Sequence, residues 1–329
     1  MRTTERGARR GTALLAVLWI SVALAAIAFS VASAVRAETE RAATTDDSVR
    51  GYYLAAGAIE RALLYREWAP LGMGPDGRSR YYNHDTPRLH FEFPEGVAVV
   101  DIISEASKLD VNHATSEQLY RLAEALGAEP ERAREISLAI VDWRSPAPLE
   151  APPSVFDTYY LGLAPSFRAP HASFQEIEEL LLVKGMTPEL FYGTYERDAS
   201  GRLVPRPGFR DCVSVNGGGS LDVNFAPPPV LAAIGLPPEI ISAIVDFRSR
   251  DFFRTREQLA AIAMGAPGFE RLTIGGGATY TFRAVARLKR PDGSVSADAR
   301  SLAAVIRFPM RPTTERYTIL RWYDNAWAQ

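Results

Sequence analysis

The sequence has little that would support a disulfide framework, a zinc site or a polyanion-binding surface. Its 329 residues include one cysteine, Cys212. A single cysteine excludes an intramolecular disulfide and leaves the redox compartment open. The formal net charge of −2 gives no reason to expect a nucleic-acid partner. The four histidines are scattered and match no HExxH or Cys/His zinc spacing: His84, His90, His113 and His171.

Patterns typical of enzymes are also missing. No GxSxG nucleophile elbow occurs in the sequence. The triplet Gly217-Gly218-Gly219 is not followed by the lysine and helix of a phosphate-binding loop, so we interpret it as a turn. Cys212 has no reactive-site pattern around it and is typical of a small core residue. The sequence therefore predicts a protein that is not an enzyme.

Charge is absent from residues 12–35, and this absence is informative. These 24 uncharged residues would span about 36 Å as a helix, enough to cross a bilayer core of roughly 30 Å. The preceding residues 1–11 carry four arginines and one glutamate, which predicts a cytoplasmic leader and an external remainder. The alternative is a cleaved secretory signal peptide. Against it, 24 residues is long for such a segment, and Ala32-Ser33-Ala34 is the one tolerable cleavage site.

Proline is absent until Pro70, which predicts that the membrane segment continues as one helix into water. Residues 12–68 would form a helix of about 85 Å. We divide it into a transmembrane part, residues 12–35, and a stalk, residues 36–68. Spacings of three and four predict an apolar stripe that packs on a folded domain. Its members are Val49, Tyr52, Tyr53, Ala56, Ile59, Leu63 and Leu64.

Alternating hydrophobicity predicts five strands that are split along the sequence. Two lie at 89–93 and 96–103, and three lie at 280–288, 299–308 and 316–323. We expect one antiparallel β domain built from residues 69–104 and 270–329. Residues 105–269 would then be a large insertion into it.

The insertion contains a repeat. LDVNH begins at Leu109 and LDVNF begins at Leu221, and AIVDWRS and AIVDFRS follow in the same order. The copies cover about 109–185 and 221–265. Each predicts a turn, a helix, a hairpin, a helix ending in Arg-Ser and a further helix, and the first copy has an extra proline-rich loop, 146–170. Both resemble the helix-hairpin-helix unit.

The polar residues of the repeat have structural roles in our interpretation. Asp110, Asn112, Asp222 and Asn224 suit turns and helix caps. Asp142 and Asp246 suit local polar contacts with their neighbouring arginines.

Helix-hairpin-helix units often bind DNA through hairpin N–H groups that face phosphates. Here each hairpin keeps one glycine, and prolines replace potential N–H donors. Residues 109–145 carry seven acids and four arginines, a net of −3, and residues 221–249 carry three acids and one arginine, a net of −2. Such a surface repels a duplex. A membrane-anchored DNA-binding or DNA-uptake protein remains the alternative hypothesis.

The basic leader that ends in Gly11, the apolar helix and the stalk resemble a type IV pilin or pseudopilin precursor. In that family prepilin peptidase cuts after the glycine, so the resemblance implies a mature chain that begins at Thr12. Most members carry glutamate at the fifth mature position, where this chain has Ala16. That departure, the split sheet and the helical insertion resemble the minor pseudopilin K of type II secretion systems.

The resemblance implies an α+β, pilin-like fold, in which a long N-terminal helix packs on an antiparallel sheet with a large all-α insertion. It implies a single-pass protein of the bacterial inner membrane with its C-terminal domain in the periplasm. The expected function is to initiate or cap the pseudopilus tip for protein export across the outer membrane. The expected partners are minor pseudopilins I, J and H, prepilin peptidase and the inner-membrane assembly platform.

Calcium is the one cofactor that the resemblance suggests, because the subunit is similar to calcium-binding pseudopilins. Hard cations prefer clustered oxygen ligands. Two loops supply candidates: Asp76, Asn83 and Asp85 in one, and Asp211, Asn216 and Asp222 in the other. A third hypothesis is an anchored periplasmic domain with an unknown ligand, which predicts an uncut amino terminus.

Overall fold

The computed structural model describes residues 8–148, 150–198, 200–275, 277–309, 314 and 316–326. It begins with one long helix, α1 (Ala8–Trp68), which confirms the continuous helix predicted from the absence of proline. Residues 1–7 of the predicted leader lie outside the described residues. Two strands follow, β1 (Arg88–Phe93) and β2 (Gly96–Ser104).

The chain between β2 and the last strands is mainly helical. Its first half contains β3 (Leu109–Asp110), α2 (Ser116–Ala125), α3 (Pro130–Arg144), α4 (Val155–Leu161), a 3₁₀ helix (Ile177–Leu182), α5 (Pro188–Tyr192), β4 (Thr194–Arg197) and β5 (Leu203–Arg206). Its second half contains α6 (Phe209–Cys212), β6 (Val213–Ser214), β7 (Leu221–Asp222), α7 (Pro228–Ala233), α8 (Pro238–Arg248), α9 (Arg256–Ala263) and β8 (Leu272–Thr273). The short strands pair as β3 with β6, β4 with β5, and β7 with β8, and the sequence did not predict them.

Three strands complete the fold: β9 (Thr279–Leu288), β10 (Arg300–Arg307) and β11 (Thr318–Tyr323). They join β1 and β2 in one antiparallel sheet of order β1-β2-β9-β10-β11. Val99 pairs with Val285 across the junction where the chain leaves the sheet and returns to it. The predicted pilin-like fold class, a long helix on an antiparallel sheet with a large insertion, is confirmed, but the insertion is mainly helical and not all-α because it also contains three pairs of short strands.

The second half of α1 packs on this sheet through small residues. Ala55, Ala58 and Ala62 are fully buried, as is Ile59, and they contact a cluster that includes Phe282. Alanines let a helix axis approach a sheet closely, and β-strand side chains then fill the space around them.

The predicted stripe on the stalk is therefore partly wrong. Ile59 and Leu63 are buried as expected, but Val49, Tyr53 and Leu64 are exposed. The prediction followed large apolar side chains, whereas the contact combines Ile59 and Leu63 with alanines on a face rotated away from the exposed residues.

A second hydrophobic cluster lies within the insertion. Leu119, Leu122, Ile136, Ile140 and Trp143 of α2 and α3 are at its centre. The second repeat adds its own residues to the same cluster, among them Leu231, Ile244, Phe253 and Leu259. The two repeats thus share one core, which positions their loops against each other and against the sheet.

Candidate functional sites on the helix and in the repeats

The outer face of the stalk carries an exposed stripe of mainly apolar residues. We call it the outer stripe, and its members are Val49, Tyr53, Gly57 and Leu64, then Trp68, whose ring also contacts Tyr81, and Leu71 of the following 3₁₀ helix, Ala69–Gly72. Tyr53 is 70% exposed, and an added Cβ at Gly57 would meet no atom within 4 Å. A stripe of this kind on the face opposite a folded domain is suited to contact another helix.

The first half of α1 is apolar on every side. α1 is long and apolar enough to cross a membrane, which by itself is weak evidence for a membrane span. Its large side chains from Leu14 to Val35 are all exposed. Ala16 lies in this part, while Gly11 and Thr12 lie on the helical backbone but their side chains fall outside the described ones.

The first repeat begins with a loop tied by its own polar residues. Asp110 Oδ1 accepts a hydrogen bond from the backbone N–H of Asn112 at 2.8 Å. The Asn112 amide binds the backbone of Phe174 in both directions, donating at 3.0 Å and accepting at 2.8 Å. Arg144, at the end of α3, donates to the carbonyls of Val111 and Ala114.

The second repeat makes the same contacts with its own residues. Asp222 Oδ1 accepts from Asn224 N–H at 3.1 Å. The Asn224 amide donates to Phe253 at 2.9 Å and accepts from it at 2.8 Å. Arg248 donates to the carbonyls of residues 223 and 226 at 3.0 and 2.7 Å. The repeated asparagine joins the loop to the third helical segment, and the repeated arginine joins it to the second helix.

The two arginines are held inside the insertion by these contacts. Burial lowers the pKa of Arg144 and of Arg248 below the ordinary value. The aspartates of the same helices make other contacts. The Asp142 carboxylate accepts a hydrogen bond from the Ser154 hydroxyl at 3.0 Å. The Asp246 carbonyl accepts from the Ser249 hydroxyl at 2.8 Å. The repeated asparagines and arginines thus bind the backbone, which is the behaviour of a structural motif. The expected contact of Asp142 with its neighbouring arginine is wrong, because Asp142 binds Ser154 and Arg144 binds the loop carbonyls.

Asp110 and Asp222 differ in the histidine that each carboxylate contacts. Asp110 Oδ2 lies 2.9 Å from Nδ1 of His113, three residues later and 82% exposed. Asp222 Oδ2 lies 3.2 Å from Nε2 of His84, which comes from the loop before β1. In the second repeat Phe225 occupies the position of His113, and its ring packs edge-on against His84 at 5.5 Å.

This contact between the second repeat and the loop before β1 was missed by sequence reasoning. A signal was present, however. Aligning LDVNH with LDVNF shows that the second repeat keeps the aspartate and loses the histidine, so its carboxylate must find another donor.

Four N–H groups of the two hairpins bond to carbonyls of their own helices. Gly127 N–H and Ala128 N–H donate to carbonyls of α2, at 2.8 and 2.9 Å. Gly235 N–H donates to the Ala232 carbonyl at 2.9 Å, and Leu236 N–H to the Leu231 carbonyl at 3.3 Å. Both glycines have positive φ, 81° and 95°, as in a helix C-cap. These four N–H groups donate to carbonyls of their own helices and are therefore not directed toward a phosphate.

The first candidate calcium loop is organised around an arginine. Arg78 forms an ion pair with Asp85 at 2.7 Å, and its backbone N–H donates to Asp76 at 3.1 Å. Asn83 Oδ1 accepts from the Ser79 backbone at 2.8 Å. The candidate oxygens therefore already have donors.

The second candidate loop is similar. Asp211 accepts from the Gly208 backbone at 3.1 Å, Asn216 N–H donates to the Ser214 hydroxyl at 2.9 Å, and Asp222 is engaged as described. Over the residues that the structure describes, no group of three or more His, Cys, Asp or Glu side chains could hold a metal ion. The residues do not fit a calcium cage as arranged, and calcium binding remains a prediction.

A groove of about 800 Å³ lies between the sheet and the insertion. Several of its charged residues form ion pairs. Asp101 binds Arg88 at 2.5 Å and Arg283 at 3.1 Å, and Lys108 binds Glu105 at 3.4 Å. Burial raises the pKa of Asp101, but its bonds to the two arginines outweigh this and lower it below the ordinary value. The two pairs of Asp101 lie within the sheet, and the Lys108–Glu105 pair lies at the start of the insertion.

The single cysteine does not have the environment of a nucleophile. Cys212 is fully buried, and burial raises the pKa of its thiol well above the ordinary value.

Comparisons with known proteins agree with one another. A family model described as "Type II secretion system (T2SS), protein K" matches residues 99–193. The type II secretion system protein K of Klebsiella pneumoniae is 24% identical over 202 residues, which cover 56% of this chain and 60% of that protein. The match thus spans about three fifths of the length of that curated relative.

A solved structure has the same fold. The GspK-GspI-GspJ complex of the enterotoxigenic Escherichia coli type 2 secretion system contains a chain that matches with a TM-score of 0.54 and 14% identity. The match covers 87% of the present chain and 99% of that one. At this identity the likeness concerns the fold.

Proposed function

We propose that the chain belongs to the protein K family of type II secretion systems and acts as a minor pseudopilin at the tip of the pseudopilus. In this role it initiates or caps the fibre that drives protein export across the outer membrane. It has no enzymatic activity in this proposal.

One observation carries the proposal: α1 is covered on one side only, and only along its second half. Ala55 and Ala62 lie against the sheet, whereas the outer stripe and the whole segment from Leu14 to Val35 are uncovered. Apolar surface of this extent is costly in water, by about 25 cal/mol for each Å². It is stabilised if the first half lies in lipid, or among the helices of other subunits, and the outer stripe contacts a neighbour.

The proposed location is the bacterial inner membrane, with the sheet and insertion in the periplasm. The four arginines of the leader favour this orientation. Prepilin peptidase would cut between Gly11 and Thr12, and the mature helix would then enter the assembly platform.

The proposed partners are minor pseudopilins I and J, with H below them. Support comes from the solved relative, which was crystallised as a complex with GspI and GspJ. The outer stripe is the surface that we assign to these contacts.

Two features support the tip position. Ala16 has no carboxylate to offer to the amino terminus of a subunit above it, and an unpaired acid in the bilayer would cost several kcal/mol. We also propose that residues 105–269 form a distinct insertion on the β domain of residues 69–104 and 270–329. This bulk would obstruct a further subunit above it.

The outer stripe can be tested with two equally exposed tyrosines. Tyr53 is 70% exposed in the stripe, and Tyr195 is 69% exposed on the β4–β5 hairpin. We expect Tyr53→Ser to lower the co-purification of I and J with the full-length chain at least about fivefold, the effect of losing a contact worth about 1 kcal/mol. Tyr195→Ser should leave it unchanged.

Equal recovery of I and J with both variants would exclude the stripe as their binding surface. The cap is tested separately by Ala16→Glu, which restores the acid. We expect it to reduce secretion and formation of the tip complex, and unchanged secretion would remove Ala16 from the argument for the tip.

A further inference from the structure

The first repeat carries a segment that the second lacks. In the second repeat three residues, 250–252, connect Ser249 to Phe253, whereas in the first repeat 28 residues, 146–173, connect Ser145 to Phe174. Residues 150–170, which include α4, fold back over the end of α3, and we call them the flap.

The flap covers an aromatic residue of the repeat. Trp143 is buried, with its ring 5.7 Å from Tyr160 and 6.1 Å from Phe167 of the flap. Phe247, the corresponding residue in the second repeat, is only partly buried. The flap therefore closes a surface that the second repeat leaves open.

One carboxylate organises the flap. Asp157 of α4 is fully buried and accepts four hydrogen bonds. The donors are Arg168 Nε at 3.0 Å, His171 Nε2 at 3.0 Å, Ser154 N–H at 3.3 Å and Ala169 N–H at 3.2 Å. Burial raises the pKa of Asp157, but these bonds outweigh it and lower the pKa below the ordinary value, so the group is ionised at neutral pH.

Both ring nitrogens of His171 face acceptors. Nε2 faces the ionised Asp157, and Nδ1 lies 3.2 Å from the carbonyl oxygens of Asp142 and of Ser145. A carbonyl and a carboxylate accept and cannot donate, so each nitrogen needs its own proton. The side chain is 11% exposed, and the backbone is held at φ 48°, in the left-handed region. This closed geometry requires the imidazolium form.

The charged and titratable groups around the ring agree with that requirement. α3 contributes Asp142, α4 contributes Asp157 and Tyr160, and the end of the flap contributes Arg168. Burial lowers the pKa of His171, but the hydrogen bond and charge of Asp157, followed by the charge of Asp142, raise it above the ordinary value overall.

We propose that His171 is a proton-operated latch that holds the flap over Trp143, closed when both ring nitrogens are protonated and loosened when one proton is lost. The latch is a conformational device of the first repeat and does not depend on the tip function proposed above. When it opens, Trp143 and the inner face of α4 become accessible beside the already exposed Val155.

The direction of the pH effect follows from linkage. The closed state binds the proton more tightly than the open state, so the latch is fully effective below the ordinary histidine pKa of about 6.5. Its stabilisation is lost as the pH rises through the raised pKa of His171. Between these two pKa values the closing equilibrium weakens by up to about tenfold for each pH unit.

The ring nitrogens can be observed in the unmodified full-length chain. We would label histidine with ¹⁵N in the protein held in detergent micelles and follow the four side chains through a pH titration. His171 should remain doubly protonated at pH values clearly above the ordinary histidine pKa of about 6.5. If His171 loses its proton at or below that value, the latch is excluded.

Hydrogen exchange tests the movement itself. After correction for the intrinsic pH dependence, flap amides should exchange faster as the pH rises through the titration of His171. The flap of His171→Gln should exchange fast at every pH. The flap of His113→Gln, a matched control from the Asp110–His113 pair, should behave like that of the parent chain. A flap whose exchange keeps its pH dependence in His171→Gln would overturn the proposal. The ring-nitrogen titration needs no variant, so it decides the question even if His171→Gln does not fold.

Discussion

Asn224→Ala is the substitution that tests the structural role of the repeat most sharply. The side chain is 7% exposed, and its amide makes two hydrogen bonds to the backbone of Phe253, which is itself buried. Each bond contributes about 1 kcal/mol net, and a buried backbone group left without its partner costs about 1–3 kcal/mol. We therefore expect a loss of about 2–4 kcal/mol in the stability of the second repeat.

The assay is amide hydrogen exchange in α9, which follows Phe253 directly. A loss of about 2–4 kcal/mol corresponds to exchange faster by about 30-fold to about 700-fold when α9 exchanges through opening of this repeat. Asn112→Ala is the matched comparison, since it removes the same two bonds to Phe174. Asn112 is only half-buried, so water can replace part of what is lost, and we expect a smaller effect.

Two results would refute this reasoning. One is a change of less than about threefold for Asn224→Ala, equivalent to about 0.6 kcal/mol, which would mean that the amide bonds do not hold the third helical segment. The other is a larger effect for Asn112→Ala, because burial would then not decide the cost.

Two further pairs of variants have opposite expected outcomes. Gly57→Ala should raise the free energy of unfolding, measured by chemical denaturation, by about 0.5–1 kcal/mol, since the position is helical and open, whereas Gly127→Ala should lower it by about 1–3 kcal/mol because its φ is +81°. His84→Ala should speed exchange around Asp222 several-fold by removing a partner of a fully buried carboxylate, and His113→Ala should not speed exchange around its own aspartate comparably, because that ring is 82% exposed. Equal effects within either pair would contradict the assignments.

The sheet could be predicted from the sequence because its signal is local. In β2 the burial alternates strictly from Gly96 to Ser104, as the GVAVVDIIS pattern indicates. All five strands begin and end within two residues of the predicted limits. Alternation over eight or nine residues leaves little freedom of register, since a shift by one residue would turn the apolar face to water.

The contact face of the stalk was less predictable because alanine carries little weight in a hydrophobic pattern. Ala55, Ala58 and Ala62 make the contact, and Tyr53 lies outside it. The face of α1 that packs on the sheet is the one whose small side chains let the helix approach the strands closely. The same ambiguity left a stripe of large apolar residues on the outer side, which is the surface that we assign to partners.

The hydrogen bonds of His84 and His171 join residues that are distant in sequence, so these contacts could not be predicted. His84 and Asp222 are separated by 138 positions, and His171 reaches back to the end of α3 across the flap. No periodicity links such residues. Only the comparison of the two repeats points to these contacts. The His84–Asp222 pair occurs where the second repeat lacks a histidine, and the flap occurs where the first repeat has extra chain.

The central claim, that this chain is a pseudopilin, is tested most directly by the intact mass of the protein purified from membranes of its own host. The account predicts a chain that begins at Thr12, with or without one methyl group on its amino terminus, because prepilin peptidase removes residues 1–11. A mass that includes Met1 or Arg2 would contradict it, and the chain would then be an anchored protein whose repeats serve some other partner.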